Sequence, residues 1–333
     1  MATRSRYCLP SLAVEGLLVA YHRSVLDLIG NTPLVEVSEL SPNPEARILL
    51  KLEGQNPGGS VKDRVALAMV EEAEKEGRLE KGATLIEPSS GNTGIGLAMV
   101  ARVKGYKLNV VLPASVSPER RQALEVWGAS IIESPGPEGS NGAVRLAERL
   151  HAENPEWVFL YQYANRANPR AHYEGTGPEI WRDCPEVTHF VAGLGTSGTL
   201  VGAGRFLKER NPKIQVWAVE PPAGENVDGL RSLDDGYIPP IFTELGGPEI
   251  LDRKTIANPR DSIVWTRKLA DVGIFAGIST GAAMAGAIRC AESVPSGVIV
   301  AISADGGWKY LSTGAWTDEI DVVVERAKRI IYF

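Results

Sequence analysis

The chain has 333 residues, which is enough for two domains of ordinary size or one large α/β unit with a substantial core. Its 35 Lys and Arg residues against 41 Asp and Glu residues give a net charge of −6, and the basic residues are scattered. This balance excludes nucleic acid and anionic membranes as general partners, and no stretch approaches the roughly 18 apolar residues of a spanning helix.

The first 22 residues contain a moderately apolar run that superficially resembles a secretory signal. Glu15 interrupts that run and no small-x-small cleavage pattern accompanies it, so we expect a helical arm or a poorly ordered leader instead. The cysteines Cys8, Cys184 and Cys290 are far apart, and their odd number gives no disulfide framework. A cytoplasmic location is therefore expected.

From Arg47 onward, short apolar runs alternate with helical patterns. We predict buried strands, because most of these runs lack the polar alternation of half-exposed strands. They cover residues 48–52, 84–87, 109–112, 130–133, 157–163, 189–192, 215–220 and 298–303. Strand–helix alternation predicts parallel sheets with helices on both faces, in which ligands bind beyond the carboxyl ends of the strands.

The helices between these strands have recognisable ends. One amphipathic helix covers residues 61–76 and closes at Gly77, and another opens at Ser117, with a proline at its first position, and stops at Gly128. The segment 221–259 is rich in Pro, Gly and Asp. We predict that it is a long loop, which inside a compact domain is usually functional.

The first chemical motif is Gly193-Leu-Gly195-Thr-Ser-Gly198, between a predicted strand and a helix over residues 199–210. Taken alone, this GxGxxG pattern predicts a dinucleotide site, with Glu220 at the end of the next strand as the ribose-binding acid. The motif by itself indicates only an anion-binding site, because glycines and free N–H groups at a helix start bind any phosphate-like anion. A Gly-rich turn without a ligand is the alternative.

The second motif is Gly58-Gly-Ser-Val-Lys62-Asp-Arg64, which joins a strand to a helix. Lys62 lies in the first turn, where the helix dipole disfavours an ammonium ion and lowers the pKa of the amine. A neutral lysine amine is what Schiff-base chemistry requires. The alternative is an ordinary solvated surface lysine.

The third motif is Pro88-Ser-Ser-Gly-Asn-Thr-Gly94, whose hydroxyl, amide and backbone donors could surround a carboxylate at a helix N-terminus. Alternatively, Ser90 or Asn92 is simply an N-cap. A nicotinamide enzyme would need only the first of the three loops. A phosphate site, a carboxylate site and an amine-reactive lysine together fit pyridoxal 5′-phosphate acting on an amino acid.

The sequence closely resembles the cysteine synthase and cystathionine β-synthase family of fold-type II pyridoxal-phosphate enzymes, from about residue 26 to residue 314. The resemblance lies in Gly30-Asn-Thr-Pro-Leu34, Lys51-Leu-Glu, Asn56-Pro-Gly-Gly-Ser-Val-Lys-Asp-Arg64, Glu87-Pro-Ser-Ser-Gly-Asn-Thr-Gly94, Gly195-Thr-Ser-Gly-Thr199, Gly277-Ile-Ser-Thr-Gly281 and Tyr310-Leu-Ser-Thr313. It implies an α/β fold of two three-layer α/β/α domains with mostly parallel sheets, similar to the tryptophan synthase β subunit.

The resemblance also implies roles for individual residues. Lys62 would form the Schiff base with the cofactor, Asn92 would contact its phenolic oxygen, and Ser279 would face its pyridine nitrogen. The phosphate cup would consist of Gly195, Thr196, Ser197, Gly198 and Thr199, and the substrate carboxylate would be held by Ser89, Ser90, Thr93 and Gln162. A serine opposite the pyridine nitrogen favours β-elimination over transamination. A helix N-cap before residues 281–291 is the alternative for Ser279.

The same resemblance implies the domain organisation. Residues 1–50 would form an N-terminal arm and part of the large domain, residues 51–157 a small mobile substrate-binding domain, and residues 158–333 the large phosphate-binding domain. A homodimer is expected, and we assign no metal site. The apolar C-terminal residues 330–333 would pack on a dimer mate, on the mouth of the active site or on their own domain.

Two comparisons within the family favour a stand-alone cysteine synthase. Threonine dehydratases usually carry a histidine where Thr93 follows Asn92, and eukaryotic cystathionine β-synthases have a haem-binding segment and a regulatory repeat. Two segments differ from the common O-acetylserine enzymes: Gly306-Gly-Trp308-Lys309 replaces Ser-Gly-Glu-Arg, and Gly229-Leu-Arg231 replaces an uncharged segment.

Arg231 indicates which substrate to expect. An arginine facing the leaving group could bind a dianionic phosphate bidentately but would meet no charge on an acetyl ester. We therefore expect O-phospho-L-serine as substrate, as in cysteine synthases of the B type, with sulfide or the thiocarboxylate of a small sulfur-carrier protein as the sulfur source. A surface ion pair of Arg231 with Asp234 or Asp235 is the alternative role. The alternative functions are O-acetylserine sulfhydrylase, cystathionine β-synthase-like activity and, more remotely, a nicotinamide-dependent oxidoreductase or a non-catalytic scaffold.

Overall fold

The computed structural model describes residues 21–329, apart from residues 90, 115, 137, 138 and 237. Three predictions fall outside the described residues. They concern the N-terminal leader up to residue 20, the role of Ser90 and the packing of residues 330–333.

Strands and helices alternate along most of the described chain. The strands are β1 (Leu34–Glu36), β2 (Ala46–Leu52), β3 (Thr84–Pro88), β4 (Lys107–Pro113), β5 (Ser130–Ser134), β6 (Trp157–Phe159), β7 (His189–Gly193), β8 (Gln215–Glu220), β9 (Arg253–Ile256) and β10 (Gly297–Ser303). The α-helices are α1 (Lys62–Lys75), α2 (Asn92–Lys104), α3 (Pro118–Val126), α4 (Gly139–Glu153), α5 (Ala167–Ala171), α6 (Gly177–Asp183), α7 (Gly198–Arg210), α8 (Pro240–Glu244), α9 (Gly247–Ile250), α10 (Pro259–Asp271), α11 (Ile278–Ser293) and α12 (Ile320–Arg329). A π-helical turn, His172–Thr176, joins α5 to α6.

The strands form two sheets. The larger has the order β1-β2-β10-β7-β8-β9, in which β1 pairs antiparallel with β2 and all other pairs are parallel. The smaller has the order β5-β4-β3-β6 and is entirely parallel. The predicted α/β architecture with mostly parallel sheets is confirmed.

Both sheets are covered on both faces, and this explains the uninterrupted apolar runs. In the larger sheet, Ile48 and Val191 belong to the core under α10 and α11, whereas the alternate residues Leu49 and Phe190 belong to the core under α6 and α7. The smaller sheet packs on α1 and α2 on one side and on α4 on the other. Each sheet is therefore the middle layer of three.

Three sequence predictions need correction. Strand β6 ends at residue 159 rather than at residue 163, because the chain turns at Tyr161, whose φ is +52°. The edge strands β1 and β9 were not predicted, since they are short and their partly exposed residues form no apolar run. The segment 221–259 is not one long loop, because it contains α8, α9 and β9.

The connections after β2, β3, β7, β8 and β10 all leave the carboxyl ends of parallel strands and converge between the two sheets. The loop after β10 is joined to the segment before α1 by a 2.8 Å hydrogen bond from the Val61 N–H to the Ala304 carbonyl, and by a bridge between Ser60 and Asp305. Chemistry can therefore be assembled there from distant parts of the chain. None of the described helices is long and apolar enough to cross a bilayer.

Candidate active site

Lys62 is the first residue of α1 and lines a cavity of about 150 Å³. Burial lowers the pKa of its amine from 10.5 to about 8, while the charge of Asp305 acts in the opposite direction. The sequence predicted the direction of this shift, but burial rather than the helix dipole is its leading cause. Part of the Lys62 population is therefore neutral near physiological pH, as nucleophilic amine chemistry requires.

The loop after β3 presents donors at the N-terminus of α2. The helix begins at Asn92 with Gly91 as its N-cap residue, so the N-cap alternative for Asn92 is wrong. Ser89 is the residue that caps the turn, because its Oγ accepts the N–H groups of Gly91 at 3.3 Å and Gly94 at 2.9 Å. Asn92 lines the cavity.

Thr93 and Gln162 lie side by side in the cavity wall. The hydroxyl of Thr93 donates to Oε1 of Gln162 at 2.6 Å, so the amide nitrogen of Gln162 is the end that remains for a substrate oxygen. The backbone N–H of Gln162 donates to the buried carboxylate of Glu87 at 3.0 Å, and that of Tyr161 does so at 2.8 Å. Burial raises the pKa of Glu87 to about 7, while these two N–H groups favour its ionised form.

The loop between β7 and α7 forms an anion cradle. Ser197 adopts a left-handed backbone conformation with φ +69°, and its buried Oγ has no hydrogen-bond partner among the described residues. A Cβ added at Gly195 would lie 2.6 Å from the carbonyl oxygen of Gly229, so only glycine permits this close approach. A phosphate group fits this site, because it would pair the orphaned hydroxyl and the N–H groups at the start of α7.

Two neighbours that the sequence analysis missed orient the hydroxyls of the cradle. Asn168 donates to Thr196 Oγ1 at 3.0 Å, and His172 Nε2 lies 3.2 Å from Thr199 Oγ1. Burial keeps the pKa of His172 well below 6.5, so its ring is neutral. The two residues are four apart in a helical segment, but their burial is visible only in the structure, so the sequence alone carries no signal for them.

Ser279 is the second residue of α11, whose N-cap residue is Gly277. The N-cap alternative for Ser279 is therefore wrong. Its side chain is 7% exposed and lines the same cavity as Lys62 and the anion cradle. A hydroxyl group is thus available on the cavity wall formed by the larger sheet.

Arg231 lies in the loop after β8 and is only 8% exposed. Its backbone N–H donates to the Leu194 carbonyl at 2.7 Å, and its guanidinium group donates to the Tyr163 hydroxyl at 3.2 Å while lying 5.0 Å from the centre of that ring. Asp234, by contrast, lies 3.6 Å from Lys254. Because Arg231 is buried and lines the cavity, the surface ion pair is wrong.

Glu220 lies away from the cavity. It is fully buried, accepts the backbone N–H of Leu233 at 3.0 Å and lies 2.8 Å from the ammonium group of Lys254. The interpretation of this residue as the ribose-binding acid of a dinucleotide site is therefore wrong.

The predicted site residues meet at one place. Apart from Gly198, which begins α7, and Ser90, which lies outside the described residues, all of them line the cavity: Lys62, Ser89, Asn92, Thr93, Gln162, Gly195, Thr196, Ser197, Thr199, Arg231 and Ser279. Arg120 of α3 and Asp228 of the loop after β8 form an ion pair at this cavity. They were missed because they lie 108 residues apart and only the fold brings them together. An amine, a phosphate cradle and a carboxylate-binding loop around one cavity define a pyridoxal-phosphate enzyme of fold-type II.

The comparison with known proteins agrees with this class. The chain belongs to the family of pyridoxal-phosphate-dependent enzymes, whose sequence model matches residues 25–305. Cysteine synthase B of Salmonella typhimurium is 44% identical over 293 residues, which are 87% of this chain and 95% of that protein.

Solved structures show the same relationship. The crystal structure of an O-ureido-L-serine synthase superposes with a TM-score of 0.84 at 37% identity, covering 90% of this chain and 97% of its own. That of the cysteine synthase of Entamoeba histolytica gives a TM-score of 0.84 at 33% identity, covering 94% and 98%. Pyridoxal 5′-phosphate is therefore the cofactor of this enzyme, and the nicotinamide alternative is excluded.

Proposed function

We propose that this enzyme is a cysteine synthase that uses O-phospho-L-serine as its amino-acid substrate. The observation that carries the choice of substrate is the buried guanidinium group of Arg231 in the cavity wall. A guanidinium group in the cavity wall can bind a phosphate dianion bidentately, because the dianion offers two acceptors to its planar fork. An acetyl ester offers only a neutral carbonyl.

The residues around the cavity would have different roles in this reaction. The N–H groups at the start of α2 and the amide nitrogen of Gln162 would hold the substrate carboxylate, and the loop 195–199 with Ser279 would hold the cofactor. Pyridoxal phosphate, when bound to Lys62, supplies an electron sink that labilises the bonds at the substrate Cα.

Lys62 would transfer the proton in this reaction. With cofactor and substrate in place, Lys62 Nζ would accept the proton from the substrate Cα, and phosphate would leave Cβ with the electron pair of the Cβ–O bond. A sulfur nucleophile would then form the Cβ–S bond, so that O-phosphoserine and hydrogen sulfide give L-cysteine and inorganic phosphate. A pKa of about 8 suits Lys62 to this work near neutral pH.

The competing function is an O-acetylserine sulfhydrylase. It is supported by a relative of known structure from Entamoeba histolytica, named O-acetyl serine sulfhydrylase isoform 3, which is 32% identical over 95% of this chain. Both functions require the same cofactor and carboxylate sites. They differ only in the leaving group of the substrate, phosphate or acetate, which would face Arg231.

The test compares kcat/KM for O-phosphoserine and O-acetylserine, with sulfide as the second substrate, in the wild type, Arg231→Ala and Arg231→Lys. We expect Arg231→Ala to lose about 10- to 100-fold on O-phosphoserine, as for loss of a charged hydrogen bond, and no more than a few-fold on O-acetylserine. Arg149→Ala, which alters an arginine with a 68% exposed side chain, is the matched control. Equal losses on both substrates would refute the choice of O-phosphoserine.

The remaining expectations complete this proposal. The sulfur source is sulfide or a carrier-protein thiocarboxylate, the enzyme is a cytoplasmic homodimer, and residues 51–157 move as a unit over the bound substrate. Turnover with sulfide alone, compared with turnover with a thiocarboxylated carrier, separates the two donors. Light scattering gives the oligomeric state.

A further inference from the structure

Lys309 is a buried lysine that the proposed reaction does not use. It is 1% exposed, and its Nζ lies 2.5 Å from the side-chain oxygen of Asn92 and 3.1 Å from the carbonyl oxygen of Gly59. The side chain thus reaches from the segment after β10 to the loop before α1 and to the first residue of α2. A lysine is seldom buried without a specific set of acceptors.

The amide group of Asn92 is held from both sides. Its Nδ2 donates to Asp305 Oδ2 at 2.8 Å, and the same carboxylate oxygen accepts the Tyr310 hydroxyl at 2.7 Å. A carboxylate accepts and an ammonium group only donates, so the chemistry of the two neighbours determines which end of the amide faces each. Asn92 Nδ2 carries a second hydrogen, which this arrangement leaves for a ligand in the cavity.

We infer that Lys309 is a positioning residue for the pyridoxal phosphate, acting through Asn92. By holding Oδ1, it keeps the NH₂ group of Asn92 turned towards the phenolic oxygen of the cofactor. Without Lys309 only Asp305 orients the amide, so the NH₂ group of Asn92 is less firmly turned towards the phenolic oxygen. The inference rests on the proposed assignment of Asn92 to the phenolic oxygen.

Lys309 suits this role better than an ordinary core residue would. Burial lowers the pKa of its amine, whereas the negative charges of Asp305 and Asp63 act in the opposite direction and favour the ammonium form. Asp63, which follows Lys62 in α1, accepts the Gly58 N–H at 2.5 Å. The ammonium group is therefore held at a fixed place beside the cofactor site rather than on a mobile surface chain.

The experiment is a double-mutant cycle with Lys309→Met, Asn92→Ala and the double variant, with Lys213→Met, at an exposed lysine outside the cavity, as the control. Apoprotein is titrated with pyridoxal phosphate to obtain Kd. The visible absorbance band of the bound cofactor, which requires an ionised phenolic oxygen, is compared with its near-ultraviolet band. Circular dichroism of each apoprotein checks folding.

We expect Lys309→Met to raise Kd about tenfold, as for one lost buried hydrogen bond, and to shift absorbance from the visible to the near-ultraviolet band. Because Lys309 acts through Asn92, the double variant should be no weaker than Asn92→Ala alone. Lys309→Arg should restore both readouts. If Lys309→Met does not fold, Lys309→Gln, which keeps a donor, carries the same comparison and should give an intermediate band ratio.

Two outcomes overturn the inference in distinguishable ways. Wild-type Kd and band ratio in Asn92→Ala would refute the assignment of Asn92 and the role of Lys309 with it. Weakened binding in Asn92→Ala, combined with an unchanged band ratio in the Lys309 variants or with additive losses in the double variant, would refute the role of Lys309 alone.

Discussion

The hydroxyl of Thr93 donates a 2.6 Å hydrogen bond to the side-chain oxygen of Gln162. This bond joins the first turn of α2, which follows β3, to the segment that follows β6, and the two strands are parallel neighbours in the smaller sheet. The Gln162 backbone N–H donates to Glu87 at the end of β3. The backbone and the side chain of Gln162 are therefore both held by residues in or just after β3. The amide nitrogen of Gln162 is thereby presented to the cavity.

Replacing Thr93 by valine should weaken substrate binding without changing substrate preference. The substitution keeps the shape of the side chain but removes the donor, so Gln162 loses its orientation. We expect KM to rise roughly 5- to 10-fold for both O-phosphoserine and O-acetylserine, as for one net hydrogen bond, because both substrates carry the same carboxylate. Steady-state kinetics measure this.

Thr93→Ser, which keeps the hydroxyl, is the control and should stay close to the wild type. A Thr93→Val enzyme that altered the ratio of kcat/KM between the two substrates would contradict a role confined to the carboxylate.

The amine of Lys62 should react as a group with a pKa of about 8. In the apoprotein, its acylation by a dilute amine-selective reagent should rise with pH and reach half its maximum near pH 8, because only the neutral amine reacts. Asp305→Asn removes the negative charge that raises this pKa, so the midpoint should move to lower pH. Mass spectrometry of the Lys62 peptide gives the rate, and other lysine peptides in the same digest serve as an internal reference.

Asp235→Asn, on the exposed loop after β8, is the matched control and should leave the midpoint unchanged. A midpoint that rises in Asp305→Asn would show that the Asp305 charge does not act on Lys62 in the stated direction.

The parts of the site that the sequence predicts are those whose signal is local. Glycines, hydroxyl residues and Lys62 lie within a few residues of a strand end and a helix start, so the loops they form can be inferred without the fold. The parts that were missed depend on contacts between distant residues. Lys309 and Asn92 are 217 residues apart, and Asp305 and Asn92 are 213 apart, so only the packing of the loop after β10 against α2 brings them together.

The same distinction between local signals and distant contacts explains which strands could be predicted from the sequence. Central parallel strands are buried on both faces and leave continuous apolar runs, as in β7, whose residues are nearly all buried. The edge strand β9 pairs only with β8, and its residues are mostly exposed, so nothing in its composition marks it as a strand. For Ser117, the sequence correctly predicted the N-cap position of α3, but its side chain makes no capping hydrogen bond.

Ser197 should matter for the cofactor and not for the fold. Its buried Oγ has no partner among the described residues, so Ser197→Ala removes an unsatisfied polar group from the apoprotein. We expect the free energy of unfolding of the apoprotein to stay within about 1 kcal/mol of the wild type or to increase. The Kd for pyridoxal phosphate should rise about tenfold, because the phosphate loses one hydrogen-bond donor.

Urea unfolding of the apoprotein and titration with the cofactor measure the two effects separately. Pyridoxal, which lacks the phosphate, is the control ligand, and its affinity should not change. A loss of apoprotein stability by several kcal/mol would mean that Ser197 has a structural partner instead.

Arg64 should be the strongest single contributor to stability among the buried ion pairs near the site. Its guanidinium group donates to Glu53 and to Glu179, each at 2.7 Å, and Lys51 also lies 2.7 Å from Glu179. Arg64→Met leaves two buried carboxylates with less positive charge, so we expect a loss of about 3–5 kcal/mol in urea unfolding. Arg149→Ala, in an exposed pair, should cost less than about 1 kcal/mol.

The stabilisation by the pair of Arg64 and Glu179 should depend on pH, and the pKa of Glu179 gives the direction of that dependence. Burial raises the pKa of Glu179, but the hydrogen bond and charge of Arg64, followed by those of Lys51, lower it to about 2. The stabilisation is therefore complete above the ordinary glutamate pKa of about 4.5 and is lost as the pH falls from there towards 2. The deficit of Arg64→Met should accordingly be largest at neutral pH and should shrink on acidification. A deficit that stayed constant from pH 7 to pH 3 would mean that Arg64 stabilises the fold by packing and not by its charge.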